Sequence, residues 1–173
     1  MLNRILIILY LFLANFSITK AAEKEDLTSK DTIKIISDIK KQYLEINSNL
    51  SKYTKQEKKI LGKSTEGGTI VSYFEKSKLK KIIVTQYGEM GKSICEYYYK
   101  NNLIFVLTSE YLYDKPIYYK DIHTVSRNEN RYYFFDDSLI KWINKERRVI
   151  NPNSTLFKNE EATILKEARE VLK

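Results

Sequence analysis

The chain has 173 residues, one cysteine, one histidine and a formal net charge of +8 at pH 7. This length fits one domain with a substantial core, and a single cysteine excludes a fold held together by internal disulfides. One histidine and one cysteine also exclude a zinc site of the usual kind, and the lysines are spread along the chain, which is typical of a solvated surface.

The N-terminal segment has the three-part pattern of a secretory signal peptide. A basic start that ends at Arg4 precedes the apolar run Ile5–Phe16, and residues 17–22 are small and polar. The run is shorter than the roughly 20 apolar residues that a spanning helix needs. We therefore predict a cleaved signal peptide at residues 1–21, a flexible leader at 22–30, and an exported protein, periplasmic or secreted, with no stable membrane span after cleavage.

The leader is followed by a predicted amphipathic helix. Apolar residues recur at steps of three and four, which is the spacing of one helical face. These residues are Ile36, Ile39, Tyr43, Ile46, Leu50 and Tyr53. Ser29 or Asp31 can cap the start, a break is expected near residue 48, and the glycines at 62, 67 and 68 end the helical region.

The central part of the chain predicts an antiparallel meander, because segments rich in β-branched and aromatic residues alternate with short turn clusters. The predicted strands are 69–75, 79–89, 92–100, 103–114, 131–135 and 139–144. A second amphipathic helix begins near Asn159, which serves as its cap. The predicted fold is α+β: an N-terminal helix packed on a five- to six-stranded antiparallel meander sheet, then a C-terminal helix, in one domain of residues 31–173.

Three consecutive tyrosines stand out within the predicted strand 92–100. In a strand, Tyr97 and Tyr99 share one face with Cys95, and Tyr98 points to the other face. Neither face is cleanly polar, so we expect the first helix to cover one face and the other to be only partly covered. Cys95 is predicted to be a small core residue. The tyrosines pack structurally in the leading interpretation, and form a ligand-binding aromatic face in the alternative.

The longest segment without a helix or strand pattern is residues 115–130, and loops of this size are often functional. The predicted ligand contacts are Tyr97, Tyr99, Tyr111, Tyr113, Tyr118 and His123. Three charged residues beside glycine turns, Glu66, Glu89 and Lys92, are predicted to form a rim around them. No nucleophile motif, cofactor motif or metal-ligand spacing accompanies these residues, so no catalytic residue, cofactor or metal is predicted.

Three segments carry a resemblance to known proteins: STEGG (64–68), YGEMGK (87–92) and EYYYKNNLIFV (96–106). Over roughly residues 31–150, the chain resembles small exported bacterial proteins of unassigned function, built as a helix on an antiparallel meander. The topology is also similar to that of the cystatin and NTF2-like group, in which a helix packs in a curved sheet. That group includes inhibitors, ligand binders and a few enzymes, and fold likeness does not choose among them.

The functional prediction is a secreted or periplasmic non-enzymatic binding protein that uses an aromatic sheet face and the 115–130 loop. Its partner would be an envelope protein, a peptide, a glycan or a small apolar ligand, and not nucleic acid. Two alternatives stay open. One is a small NTF2-like enzyme that uses His123 with a carboxylate, and the other is a structural envelope protein that forms a homodimer or larger assembly through the second sheet face.

Overall fold

A computed structural model describes residues 28–60 and 65–173. The predicted signal peptide and most of the predicted leader fall in residues 1–27, outside the described residues. The described chain contains helix α1 (Ser29–Ser48), a short 3-10 helix (Leu50–Lys52), seven strands and helix α2 (Thr155–Glu170). The strands are β1 (Thr54–Ile60), β2 (Gly68–Glu75), β3 (Lys78–Gly88), β4 (Gly91–Tyr99), β5 (Leu103–Tyr113), β6 (Thr124–Phe135) and β7 (Ser138–Ile143).

The strands form one antiparallel sheet whose spatial order follows the chain order from β1 to β7. Short turns join most of the consecutive strands, which favours pairing in chain order. Phe135 pairs with Ser138 around Asp136 and Asp137, whose φ angles of 45° and 56° match the twist of the adjoining strands. The α+β class and the antiparallel sheet are therefore confirmed, with seven strands rather than five or six.

Helix α1 packs on one face of the sheet. The Thr28 hydroxyl caps it by accepting a hydrogen bond from the Asp31 backbone N–H at 3.2 Å. Ile39 and Ile46 are buried against the sheet, as their spacing predicts. The helix ends at Ser48, at the predicted break, but the helical region does not continue to the glycines as predicted, because residues 54–60 form strand β1.

Helix α2 packs on the opposite face, where Phe157, Ile164 and Ala168 are buried. It begins at Thr155 rather than near Asn159, because the Ser154 hydroxyl accepts from the Phe157 backbone N–H at 3.2 Å and caps it earlier. Neither helix of the described residues is both long enough and apolar enough to cross a membrane.

Two stretches of strand were not predicted. Strand β1 has exposed side chains at every position before Ile60, so it lacks the alternation of a half-buried strand. The first half of β6 lies in the segment 115–130, which was expected to be irregular; the actual loop is residues 114–123. Each stretch pairs with one neighbouring strand, β1 with β2 and the first half of β6 with β5, through backbone hydrogen bonds, which do not depend on side-chain polarity.

The sheet divides into two halves along its strands. The closed half contains the β2–β3, β4–β5 and β6–β7 turns, and both helices lie over it, with apolar clusters on each face. The open half contains the β3–β4 turn and the β5–β6 loop, and most of its described side chains are partly or fully exposed. This division decides which predicted residues a ligand can reach.

Candidate functional site

The tyrosine run is buried on both faces of β4. Tyr97 and Tyr99 are 2 % and 6 % exposed in the cluster beneath α2, and Tyr98 is 0 % exposed in the cluster beneath α1. Tyr113 is also buried. The expectation that the second sheet face is only partly covered is wrong in the closed half, because α2 covers it. Burial leaves Tyr97, Tyr99 and Tyr113 almost no surface with which to contact an external ligand.

A buried polar cluster joins α1 to the sheet. The Lys81 Nζ atom lies 2.6 Å from Glu96 Oε2 and donates to Asn47 Oδ1 at 2.8 Å, and the Tyr98 hydroxyl donates to Glu96 Oε2. Burial lowers the pKa of Lys81, while the Glu96 carboxylate opposes that shift. These groups satisfy one another, so the cluster fixes the end of α1 on the sheet.

Cys95 packs against the cluster beneath α2, in agreement with its predicted core role. Burial raises the pKa of its thiol to about 12, so the nucleophilic thiolate is scarce at neutral pH. Within residues 28–60 and 65–173, no group of three or more His, Cys, Asp or Glu side chains is arranged to hold a metal ion.

The β5–β6 loop folds onto the β3–β4 turn at the tip of the open half. The Ile117 backbone N–H donates to the Glu89 carbonyl at 2.7 Å, and the Tyr118 hydroxyl donates to Glu89 Oε1 at 2.8 Å. The Tyr113 backbone N–H donates to the Met90 carbonyl at 2.8 Å. The structure thus brings together two of the predicted residues, Tyr118 and Glu89, which are 29 positions apart in the chain.

His123 closes the base of this loop. Its backbone N–H donates to Asp114 Oδ1 at 2.8 Å, and its Nδ1 lies 3.3 Å from Asp114 Oδ2. These hydrogen bonds, led by the backbone one, lower the pKa of Asp114. The His123 side chain is 75 % exposed, so the pair sits in water rather than in an enclosed site.

Exposed apolar side chains concentrate at the same tip. We call them the tip cluster: Met90, Leu112, Tyr118, Tyr119 and Val125. They make up five of the eleven large apolar residues that are exposed in the described chain, although the tip is a small part of the molecule. A concentration of this kind is typical of a contact surface, whereas single exposed apolar residues are ordinary.

Next to the tip cluster lies a row of cations on the α1 side of the sheet. Tyr111 on β5 pairs with Lys92 on β4 and with Arg127 on β6. The Lys92 Nζ atom lies 5.1 Å from the centroid of the Tyr111 ring, and Arg127 Cζ lies 5.2 Å from it. Tyr111 therefore holds two cations through cation–π contacts and is not a free aromatic platform.

The row continues into a cleft of about 220 Å³ near β7. Glu129 accepts from both Arg127 and Arg131, the latter at 2.9 Å, and the cleft is also lined by Lys145 and Arg147. We call the whole surface the basic face; it comprises Lys92, Tyr111, Arg127, Glu129, Arg131, Lys145 and Arg147. One carboxylate among so many cations leaves this face strongly positive.

Two further clefts, of about 440 and 450 Å³, border the C-terminal end of α2 in the closed half. Both are lined by Leu79 and Leu172, and Tyr99 is among the residues that line the first. These clefts are the main competing location for a small apolar ligand.

The predicted site residues therefore separate into two groups. Tyr111, Tyr118, Glu89, Lys92 and His123 lie in the open half, and Glu66 joins them because its backbone N–H donates to the Tyr87 carbonyl at 3.2 Å. Tyr97 and Tyr99 belong to the closed half, and Tyr113 lies at the tip of the open half but is buried. Sequence reasoning missed Arg127, Arg131 and Arg147, although the alternation of Arg127, Glu129 and Arg131 is the period-two pattern of one strand face.

The chain matches no protein-family model, and neither the curated proteins nor the solved structures give a significant match.

Proposed function

We propose that the protein is a non-enzymatic binding protein, exported as its N-terminal sequence predicts, whose ligand contacts the open half of the sheet. The observation that carries this proposal is the adjacency of the tip cluster and the basic face. Val125 precedes Arg127 by two residues in β6, and Met90 precedes Lys92 by two residues at the β3–β4 turn, whereas Leu112 follows Tyr111 in β5 and points to the opposite face at the same tip. An apolar patch beside a charged one is the composition expected of a polar-rimmed contact surface.

The loop contacts support a preformed surface rather than one that orders on binding. Glu89 is held by both the Ile117 backbone and the Tyr118 hydroxyl, and Asp114 is held twice by His123. A surface fixed in advance loses less conformational entropy when it binds a ligand. The same contacts give His123 a structural role at the base of the loop, which favours binding over acid–base catalysis.

The proposal is tested with a panel of four probe classes: short peptides, oligosaccharides, an apolar fluorescent dye and inorganic polyphosphate. Each probe is titrated into the 15N-labelled protein, and backbone amide shifts locate its site. We expect at least one class to perturb residues of the tip cluster and the basic face. Shifts confined to the clefts beside α2, or no shifts with any class, would contradict the proposal.

Matched variants sharpen this test. Leu112→Ser with Tyr119→Ser removes two exposed apolar groups from the tip cluster, and Leu44→Ser with Leu156→Ser removes two of similar exposure elsewhere. For a probe that contacts the tip cluster, we expect the first pair to weaken binding by roughly tenfold, equivalent to about 1.4 kcal/mol, and the second by less than about twofold.

A further inference from the structure

The cations of the basic face extend from Lys92 on β4 to the cleft that Arg127, Arg131, Lys145 and Arg147 line. Lys92 and Arg127 flank the strand that carries Tyr111, so their backbones are about 10 Å apart at the usual strand spacing. Arg127 and Arg131 are four residues apart on β6, and their guanidinium groups converge on Glu129 at the edge of the cleft. A single small anion in that cleft does not also reach Lys92 on β4, whereas a chain of anionic groups can.

Glu129 orients Arg127 and Arg131, but its single negative charge does not neutralise both of them. Arg127 and Arg131 share one carboxylate, Glu129, and each donates to it through one terminal nitrogen. A guanidinium has five N–H donors, so several on each arginine are left for a ligand. Planar guanidinium groups suit phosphate especially well, because they can donate two parallel hydrogen bonds to one phosphate group.

The backbone conformation at Arg147 favours glycine and gives no reason for an arginine at this position. Its φ is 61°, a left-handed conformation that glycine adopts at the least cost. The turn is held by its backbone: Arg147 N–H donates to the Asn144 carbonyl at 2.8 Å, and Asn144 N–H donates to the Arg148 carbonyl at 2.9 Å. Arg147 lines the cleft, and the turn is held without its side chain.

We propose that the basic face binds a linear chain of phosphate groups without bases. This inference rests on the proposed function and names its ligand class. The row of cations matches a repeating anion, and the cleft between Arg131 and Arg147 gives one phosphate group several donors at once. Within the basic face nucleic acid fits less well, because single-stranded binding relies on stacking of bases on free aromatic rings, and the one ring of this face, Tyr111, is contacted by Lys92 and Arg127.

The test measures binding of long-chain inorganic polyphosphate by calorimetry over a range of salt concentrations. Orthophosphate and oligo(dT) serve as the comparison probes. The central variant is Arg147→Gly, and its control is Lys76→Gly. Both residues are exposed cations with positive φ, at 61° and 56°, so each change removes one charge and relieves one left-handed position. Lys76 lies in the β2–β3 turn, at the other end of the sheet.

We expect the protein to bind polyphosphate at least roughly tenfold more tightly than either comparison probe, and Arg147→Gly to weaken that binding by roughly threefold to tenfold. The slope of log affinity against log salt concentration should fall by about 0.7 to 0.9 in Arg147→Gly and stay unchanged in Lys76→Gly. Urea unfolding shows whether both variants remain as stable as the parent protein, as the glycine substitutions predict.

Four outcomes would overturn the inference. Equal weakening by the two variants would mean that net charge alone attracts the polymer, and tight binding of orthophosphate would mean a single-anion site. Binding of oligo(dT) as tight as that of polyphosphate would mean that the basic face binds nucleic acid rather than a phosphate chain without bases. If a peptide, oligosaccharide or dye binds the open half and polyphosphate does not, this inference fails while the proposed function stands.

Discussion

At the scale of single residues, adjacent tyrosines of β4 have different environments. The Tyr98 hydroxyl is hydrogen bonded to Glu96 and near Asn47, within the cluster that includes Lys81. The Tyr99 hydroxyl is buried and has no hydrogen-bond partner among the described residues. Alternation along the strand explains why adjacent tyrosines differ, since successive side chains enter different cores.

Tyr99→Phe should stabilise the protein, and Tyr98→Phe should destabilise it. The first change removes a buried hydroxyl that lacks a partner, and we expect a gain of about 1 kcal/mol in the free energy of unfolding. The second removes a hydroxyl that Glu96 uses, and we expect a loss of about 1 to 3 kcal/mol. Urea denaturation of the two variants at pH 7 measures both changes. Similar losses in the two would show that the Tyr99 hydroxyl has a partner in solution.

At the scale of elements, the strands that could be predicted are those with a hydrophobic pattern. Strands β3 to β5 carry buried apolar residues and β2 carries partly buried ones, and their predicted bounds agree with the structure within a few residues. Strand β1 and the first half of β6 contribute little to either core, so their sequences resemble loops. Arg127 and Arg131 lie in or next to such a stretch. These two arginines were therefore not predicted as site residues for the same physical reason that the first half of β6 was not predicted as a strand.

Gly88 and Gly91 lie on either side of the β3–β4 turn, and only Gly91 has no room for a side chain. A Cβ atom at Gly91 would lie 2.1 Å from the Tyr111 carbonyl oxygen, whereas at Gly88 its nearest neighbour would be 3.8 Å away. Gly91→Ala must push β4 and β5 apart, and we expect it to cost about 1 to 3 kcal/mol of stability. Gly88→Ala is the matched control and should change stability by less than about 1 kcal/mol.

Thermal unfolding and hydrogen exchange of the two variants test this expectation. Gly91→Ala should speed exchange of amides in the hydrogen-bonded ladder between β4 and β5, because the displaced backbones open that ladder first. Equal melting temperatures for both glycine variants would contradict the close approach of the two strands at Gly91.

At the scale of the whole molecule, the buried tyrosines link stability to alkaline pH. Burial raises the pKa of Tyr97, Tyr98, Tyr99 and Tyr132 above the ordinary value of 10. Above pH 10 the unfolded chain releases a proton from each of these residues, while the folded protein keeps them. Because the folded state then binds more protons, the contribution of these tyrosines to stability is complete below pH 10 and falls as the pH rises, and the buried Cys95 thiol adds to the loss from its lower ordinary pKa upward.

Each such tyrosine contributes a slope of about 1.4 kcal/mol per pH unit, so four give about 5 kcal/mol per unit above pH 10. Lys81 acts in the opposite sense, because its lowered pKa makes stability rise with pH, but this effect ends near its ordinary pKa of 10.5. Urea unfolding at intervals between pH 8 and pH 11, with tyrosinate absorbance as a second readout, measures the slope. Tyr99→Phe should reduce it by about 1.4 kcal/mol per pH unit, and Tyr99→Phe with Tyr132→Phe by about twice that amount. An unchanged slope in the double variant would mean that these rings titrate freely in the folded protein, and that the two cores admit water.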